Sequence, residues 1–321
     1  MRPAAKRRMV HYLEDVHHLS RRRACKLVGC NRKTSAYLSV REDDPGLREK
    51  LMALAQEHRA WGYRLLCGAL RLAGFSVNHK RVYRLYKEED LQHRPRTRHR
   101  LTGEKKGHPP DPVAINEVWT MDFMSDALQN GRKIRTLNVI DAFTRQCLGV
   151  EVDTSLAGYR VKRVLARLIQ VHGKPKRIQI DNGTEFRCKL LEAWAQEEDI
   201  ELYFIDPGKP NQNGRIESFN SRLREECLNQ EWFLNMAEAR WIVERWRRHY
   251  NQERPHSSLK YLPPDEWTKR YLATPEPLRA ALLPQKRNRG TDSGHATPSP
   301  ATQPHGQHME SPEGCYAERY A

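Results

Sequence analysis

The stretch NEVWTMDFMSD, residues 116–126, decides how the chain is read. Strand side chains alternate between two faces. Trp119, Met121 and Phe123 therefore share one face, and Val118, Thr120, Asp122 and Met124 the other. Both faces look apolar, so the stretch predicts a strand covered on both sides. Asp122 does not belong there on packing grounds. Burying a lone carboxylate costs several kcal/mol or forces it to take up a proton, so a compensating group is expected nearby.

Working outward, IRTLNVIDAF and QCLGVEVD read as two further strands, and the Asn-Gly of ALQNGRK signals a hairpin between the first two. GYRVKRVLARLIQVHG spaces Val161, Val164, Leu165, Leu168 and Ile169 as a helix. KRIQIDNG is a short strand stopped by Asn-Gly, KLLEAWAQEEDI a helix and ELYFID a strand. The loop DPGKPNQNG precedes the helical segment RIESFNSRLREECLN, and another helix spans roughly 236–250. This order predicts an α/β mixed sheet flanked by helices, with the core domain over 116–270.

The front end differs. The formal net charge is +16, and residues 1–110 hold 26 Lys/Arg against 11 Asp/Glu, whereas 111–321 are nearly balanced. Such a lopsided field fits a polyanion, most simply nucleic acid. Residues 5–38 read as three short helices, with Ala24, Leu27 and Val28 inward and Asn31 capping the last. A basic helix after a Gly-containing turn makes 1–42 a helix-turn-helix candidate. A second all-α module is expected over 43–92. Leu47, Leu51, Leu54 and Ala55 form one stripe there, and Asn78 caps a helix with Val82, Leu85 and Tyr86 inward. Arg23, Arg32, Lys33, Lys80 and Arg81 are the expected DNA contacts. Residues 93–115 read as a basic extended linker. The Pro-, Ser- and Thr-rich stretch 271–321 is expected to be disordered, having little apolar surface to offset its ordering entropy.

The seven cysteines include no CxxC pair, and Cys25 and Cys30 beside His17 and His18 fit no common zinc finger. No run approaches the ~18 apolar residues of a membrane span. A soluble, cytoplasmic protein with reduced thiols is expected.

Asp181 ends the strand RIQID, and Glu217 begins a helix whose apolar stripe is Ile216, Phe219, Leu223 and Cys227. Glu217, Asn220, Ser221 and Arg224 stand on the adjoining face, with Glu217 and Arg224 about 10 Å apart along a regular helix. Asp122, Asp181 and Glu217 could meet at one sheet edge, where they would repel without a cation. Mg²⁺ suits such hard oxygen donors, and two ions ~3.5–4 Å apart can serve in-line displacement at phosphorus. Acids alone are weak evidence in a chain with 40 Asp/Glu. Asp126, Asp141 and Glu185 lie close by, and each reads better as a turn or capping residue.

With these residues in hand, WTMDF, IDNGTEF and PNQNGRIESFNSRLREE resemble the signature blocks of the DDE integrase-core transposases. Between Asp122 and Asp181 lie 58 residues, and 35 between Asp181 and Glu217. The second gap is that of retroviral integrases and related insertion-sequence transposases. YNQERPHSSLKYLPPDEW resembles the C-terminal block of the insertion-sequence members, most like the second-reading-frame type. The resemblance covers residues 5–267. It implies an RNase H-like core, Asp122, Asp181 and Glu217 as catalytic metal ligands, and Mg²⁺, with Mn²⁺ as substitute, as a pair of ions. It further implies hydrolysis at the element's end, then attack of the freed 3′-OH on a second phosphodiester.

Arg215, Arg224 and Asn182 are candidate DNA contacts near the site; a turn role for Asn182 stands equally open. His256 is balanced between the site and a structural hydrogen bond. The expected partners are double-stranded DNA (element ends and target), further copies of this chain and an upstream-frame protein. Two rival readings remain: a catalytically silent DNA-binding relative, and a nuclease that cuts without joining.

Overall fold

The computed structural model describes residues 3–37, 45–92, 111–181, 189–205 and 210–284. Three helices open the chain: α1 (Pro3–Asp15), α2 (Arg21–Val28) and α3 (Arg32–Ser35). They close around Val10, Ala24, Cys25 and Cys30. Both cysteines are thus core residues. Leu27 is not: it is 65% exposed, because the buried stripe of α2 runs through Ala24, Cys25 and Val28 at helical spacing. Gly29 ends α2 in the left-handed region at φ 63°, and the Asn31 side chain accepts from the Lys33 N–H at 2.9 Å, the expected cap.

The second module is α4 (Pro45–Glu57), α5 (Tyr63–Leu72) and α6 (His79–Glu88). Leu47, Leu51, Leu66, Leu70, Val82, Leu85 and Tyr86 form its core, and Asn78 caps α6 through the Lys80 N–H at 3.0 Å. Most of the expected linker, residues 93–110, lies outside the described residues.

The core sheet begins as a meander of β1 (Val118–Ala127), β2 (Lys133–Asp141) and β3 (Cys147–Asp153). Gly131 makes the first hairpin possible at φ 80°, a backbone shape that glycine adopts without strain. After α7 (Gly158–His172), β4 (Arg177–Ile180) joins β1 in parallel; α8 (Lys189–Glu197) then leads to β5 (Glu201–Phe204), parallel to β4. The strand order β3-β2-β1-β4-β5 is the RNase H-like arrangement. β1 is central, so both of its edges are paired, and helices cover both of its faces.

One face packs Trp119, Met121, Leu137 and Val139 against α7 and α8, with Phe123 at its margin. The other packs Ile134, Ile140, Cys147 and Val152 against α9 (Gly214–Leu223) and α10 (Met236–Gln252), with Met124 at its margin. Asp122 faces α9.

The helical segment after α9 is not regular. Residues Arg224–Leu228 form a π turn, so the regular α-helix that carries Glu217 ends at Leu223. The chain also stays folded beyond residue 271. Helix α11 (Pro264–Ala273) and a 3-10 turn, Glu276–Leu282, bring Trp267, Tyr271 and Leu282 onto Phe143. Composition hid these few apolar anchors among polar neighbours; the remainder of the expected tail, from 285, lies outside the described residues.

The second module rests on the core. Trp61 stacks on His58 at 3.8 Å between ring centres, and His58 on His249 of α10 at 4.9 Å. Arg254 lies over Trp61 and binds Glu226 at 2.6 Å, both side chains nearly buried. A Cβ on Gly68 of α5 would meet Pro255 at 3.0 Å and Tyr261 at 3.1 Å, so α5 approaches the core as closely as a glycine allows.

Candidate active site

Asp122 sits opposite Asn138 in the β1–β2 ladder. Asn138 is fully buried, and its amide donates to Asn220 Oδ1 at 2.7 Å. Asn220 in turn donates to Asp122 Oδ2 at 2.8 Å, while the Phe123 N–H donates to Oδ1 at 2.7 Å. A polar relay thus runs from β2 through α9 to the carboxylate. Sequence reading placed Asn220 beside Glu217 without a role and missed Asn138. The available signal was a second polar residue in the middle of an apolar strand, TLNVI.

Asp181 follows β4 directly. The parallel register pairs Thr120 with Gln179, and continuing it by two residues sets Asp181 level with Asp122. The Gln179 amide donates to the Gln212 carbonyl at 2.6 Å, tying β4 to the turn that opens α9. Glu217 stands in the first turn of α9 and is exposed, where the helix N-terminus favours negative charge.

The three acids feel one another. Burial is the largest influence on Asp122, and repulsion from Asp181 and Glu217 adds to it; together they push its carboxyl up to about 6 against the opposing bonds from Phe123 and Asn220. Among the described residues, no three acids, histidines or cysteines close into one metal shell. The donor set nonetheless fits a hard divalent cation. It offers oxygen ligands only, with mutual repulsion that a cation would relieve, and Mg²⁺ commonly takes one or two carboxylates and completes its shell with waters and substrate phosphates.

Neighbouring acids are otherwise engaged. Asp141 accepts from the Phe143, Thr144 and Asn116 N–H groups at 2.7, 2.8 and 2.8 Å, a turn and capping residue as expected. Asp126 is the ion-pair partner of Arg224 at 2.5 Å, and Arg224 also donates to the Ser125 carbonyl. Glu185 and Asn182 lie outside the described residues. Arg215 pairs with Asp111. His256 is buried and donates to the Tyr250 carbonyl at 3.3 Å. Burial and Arg254 hold it well below its ordinary range, against the opposing hydrogen bond to Tyr250, so its structural hydrogen bond is present as one of the two readings expected. Arg23, Arg32, Lys33 and Lys80 are exposed on α2, α3 and α6, and Arg81 is half-buried.

An integrase core domain family matches residues 112–210 and 198–264, and an HTH-like domain family matches 42–99. The 31.7 kDa protein of insertion element IS407 from Burkholderia multivorans is 41% identical over 258 residues, 80% of this chain and 93% of its own. The 39.2 kDa protein of insertion element IS476 from Xanthomonas euvesicatoria is 42% identical over 271 residues, 84% of this chain and 78% of its own. The transposase of insertion sequence IS904 from Lactococcus lactis is 24% identical over 237 residues, 70% of this chain and 93% of its own. On these matches and the sheet order, the chain belongs to the integrase-core transposases of bacterial insertion sequences, enzymes that cut and join DNA.

Proposed function

We propose that the chain performs metal-dependent cleavage at the ends of its element, followed by strand transfer of the freed 3′-OH into target DNA. Asp122, Asp181 and Glu217 would hold divalent cations, Mg²⁺ or Mn²⁺. When bound, such ions neutralise charge on the phosphate and favour attack by water or hydroxyl. The observation that carries the reading is the raised Asp122 carboxyl, caused by burial and by the two other acids of the triad.

The chain's own residues do the positioning. Asn138 fixes Asn220, and Asn220 fixes the plane of Asp122 and favours its charged form. Arg215 in the first turn of α9 and Arg224 at its C-terminal cap would contact phosphate by exchanging their present carboxylate partners for DNA. Arg23, Arg32, Lys33, Lys80 and Arg81 would serve duplex binding, and Asn182 would orient the strand beside Asp181. Work on paired ends implies at least a dimer and double-stranded DNA as partner; an upstream-frame protein would add a further N-terminal segment. Action in the cytoplasm on chromosomal DNA is consistent with the finding that no described helix is long and apolar enough to cross a membrane.

The test is a cleavage and joining assay on terminal DNA with Mg²⁺ or Mn²⁺. Nicked and joined products that disappear in Asp181→Asn, with DNA binding retained, are expected. Binding without any cleavage would mark a silent relative, and nicks without joints a nuclease.

A further inference from the structure

A cleft of about 530 Å³ opens between α1 and the end of α3, lined by Arg7, Arg8, His11, Arg21, Ser35 and Tyr37. Its cations differ in how they are used. Arg21 is held by Glu14 through two bonds at 2.8 and 3.3 Å, and Lys6, next to the cleft, donates to the Gly29 carbonyl at 2.7 Å. Both stitch α1 to α2 and its C-terminal turn. Arg7 instead lies over the Tyr37 ring at 5.3 Å, which fixes the guanidinium plane and leaves its N–H edge for a ligand. Arg8 has no hydrogen-bond or ion-pair partner among the described residues.

Two further features point to an anion. The first turn of α1 contains no acid, although Lys6, Arg7 and Arg8 crowd the positive end of the helix; that arrangement is self-repelling until negative charge arrives. The Ser35 hydroxyl, on a residue only 2% exposed, is buried at the cleft without a hydrogen-bond partner. A buried hydroxyl left unpaired costs about 1–3 kcal/mol, and a phosphate oxygen would satisfy it.

We propose that this cleft seats one backbone phosphate of duplex DNA, gripped by Arg7 and Arg8 with the Ser35 hydroxyl as a neutral donor. This deepens the transposase reading, on which the choice of DNA over a small anion rests. It assigns anchoring to α1, whereas the contacts expected in the front end from sequence lie on α2, α3 and α6. The strong positive charge of the first 110 residues favours a polyanion over a lone phosphate.

The experiment is a fluorescence anisotropy titration of the full chain with duplex DNA at several salt concentrations. Ser35→Ala and Arg7→Lys should each weaken binding about 3–10-fold without lowering the melting temperature, since neither changes net charge. The double variant Arg7→Gln/Arg8→Gln should make the salt dependence shallower by about one contact. Wild-type binding by both Ser35→Ala and Arg7→Lys would overturn the proposal, leaving diffuse charge only. Saturable binding of inorganic phosphate that Ser35→Ala abolishes, with DNA affinity unchanged, would assign the cleft to a small anion and also overturn it. The cleavage and joining assay on terminal DNA measures failure of the catalytic reading separately, because Arg7, Arg8 and Ser35 lie outside the acid triad.

Discussion

Asn220 and Asp122, 98 residues apart in sequence, meet through a 2.8 Å hydrogen bond from amide to carboxylate. The same amide group accepts from Asn138, so Asp122 is oriented by a chain of two asparagines that itself cannot titrate. Asn220→Ala should therefore lower cleavage and joining about 10–100-fold, the usual effect of losing an orienting partner of a metal ligand. DNA affinity should stay unchanged, and activity should need more metal. Single-turnover rates over a metal titration check this; an unchanged metal optimum would leave Asn220 a packing residue.

Asp122 is also a source of strain in the metal-free protein. Burial and two neighbouring acids oppose its charge, so Asp122→Asn should raise the melting temperature in EDTA by a few degrees, corresponding to about 1 kcal/mol for a fold of this size. The sign is opposite to that of an ordinary core substitution. Differential scanning calorimetry reads it directly.

The histidine stack between the second module and the core predicts a pH effect. His58 and His249 are both held below their ordinary range, first by burial, with His249 and Arg254 respectively adding repulsion and Glu57, Glu226 and Glu253 opposing it in part. The unfolded chain takes up protons near 6.5 while the stack resists them. This contribution to stability is therefore complete above about pH 6.5 and is lost as pH falls below it. Melting curves between pH 7.5 and 5.5 should show the decline, and His249→Phe should flatten it.

Arg254 and Glu226 form a buried pair beside that stack. Arg254→Met would leave Glu226 without its cation and should cost about 3–5 kcal/mol, seen as a lower denaturation midpoint. The double variant Arg254→Met/Glu226→Leu should recover much of the loss, because burying either charge alone is the unfavourable state.

What was legible in the sequence was local. The β1 alternation, the helical stripes and the Asn31 and Asn78 caps depend on neighbours within a turn or two, and so does the anomaly of Asp122 itself. The Asn138–Asn220–Asp122 relay, the Trp61–His58–His249 stack and the Arg254–Glu226 pair were not legible, because each depends on packing between segments far apart in the chain. Leu27 misled because hydrophobicity does not reveal which side of a two-turn helix is covered. Residues 271–284 misled because Tyr271 and Leu282 find their partners on Phe143 and Trp267, which a polar average cannot show.

The central claim is that Asp122, Asp181 and Glu217 hold divalent cations, and manganese binding measured by water-proton relaxation tests it most directly. Wild-type protein should bind Mn²⁺ saturably, and Asp122→Asn, Asp181→Asn and Glu217→Gln should each weaken that binding at least about tenfold. Equal manganese affinity in the wild type and all three variants would contradict the account.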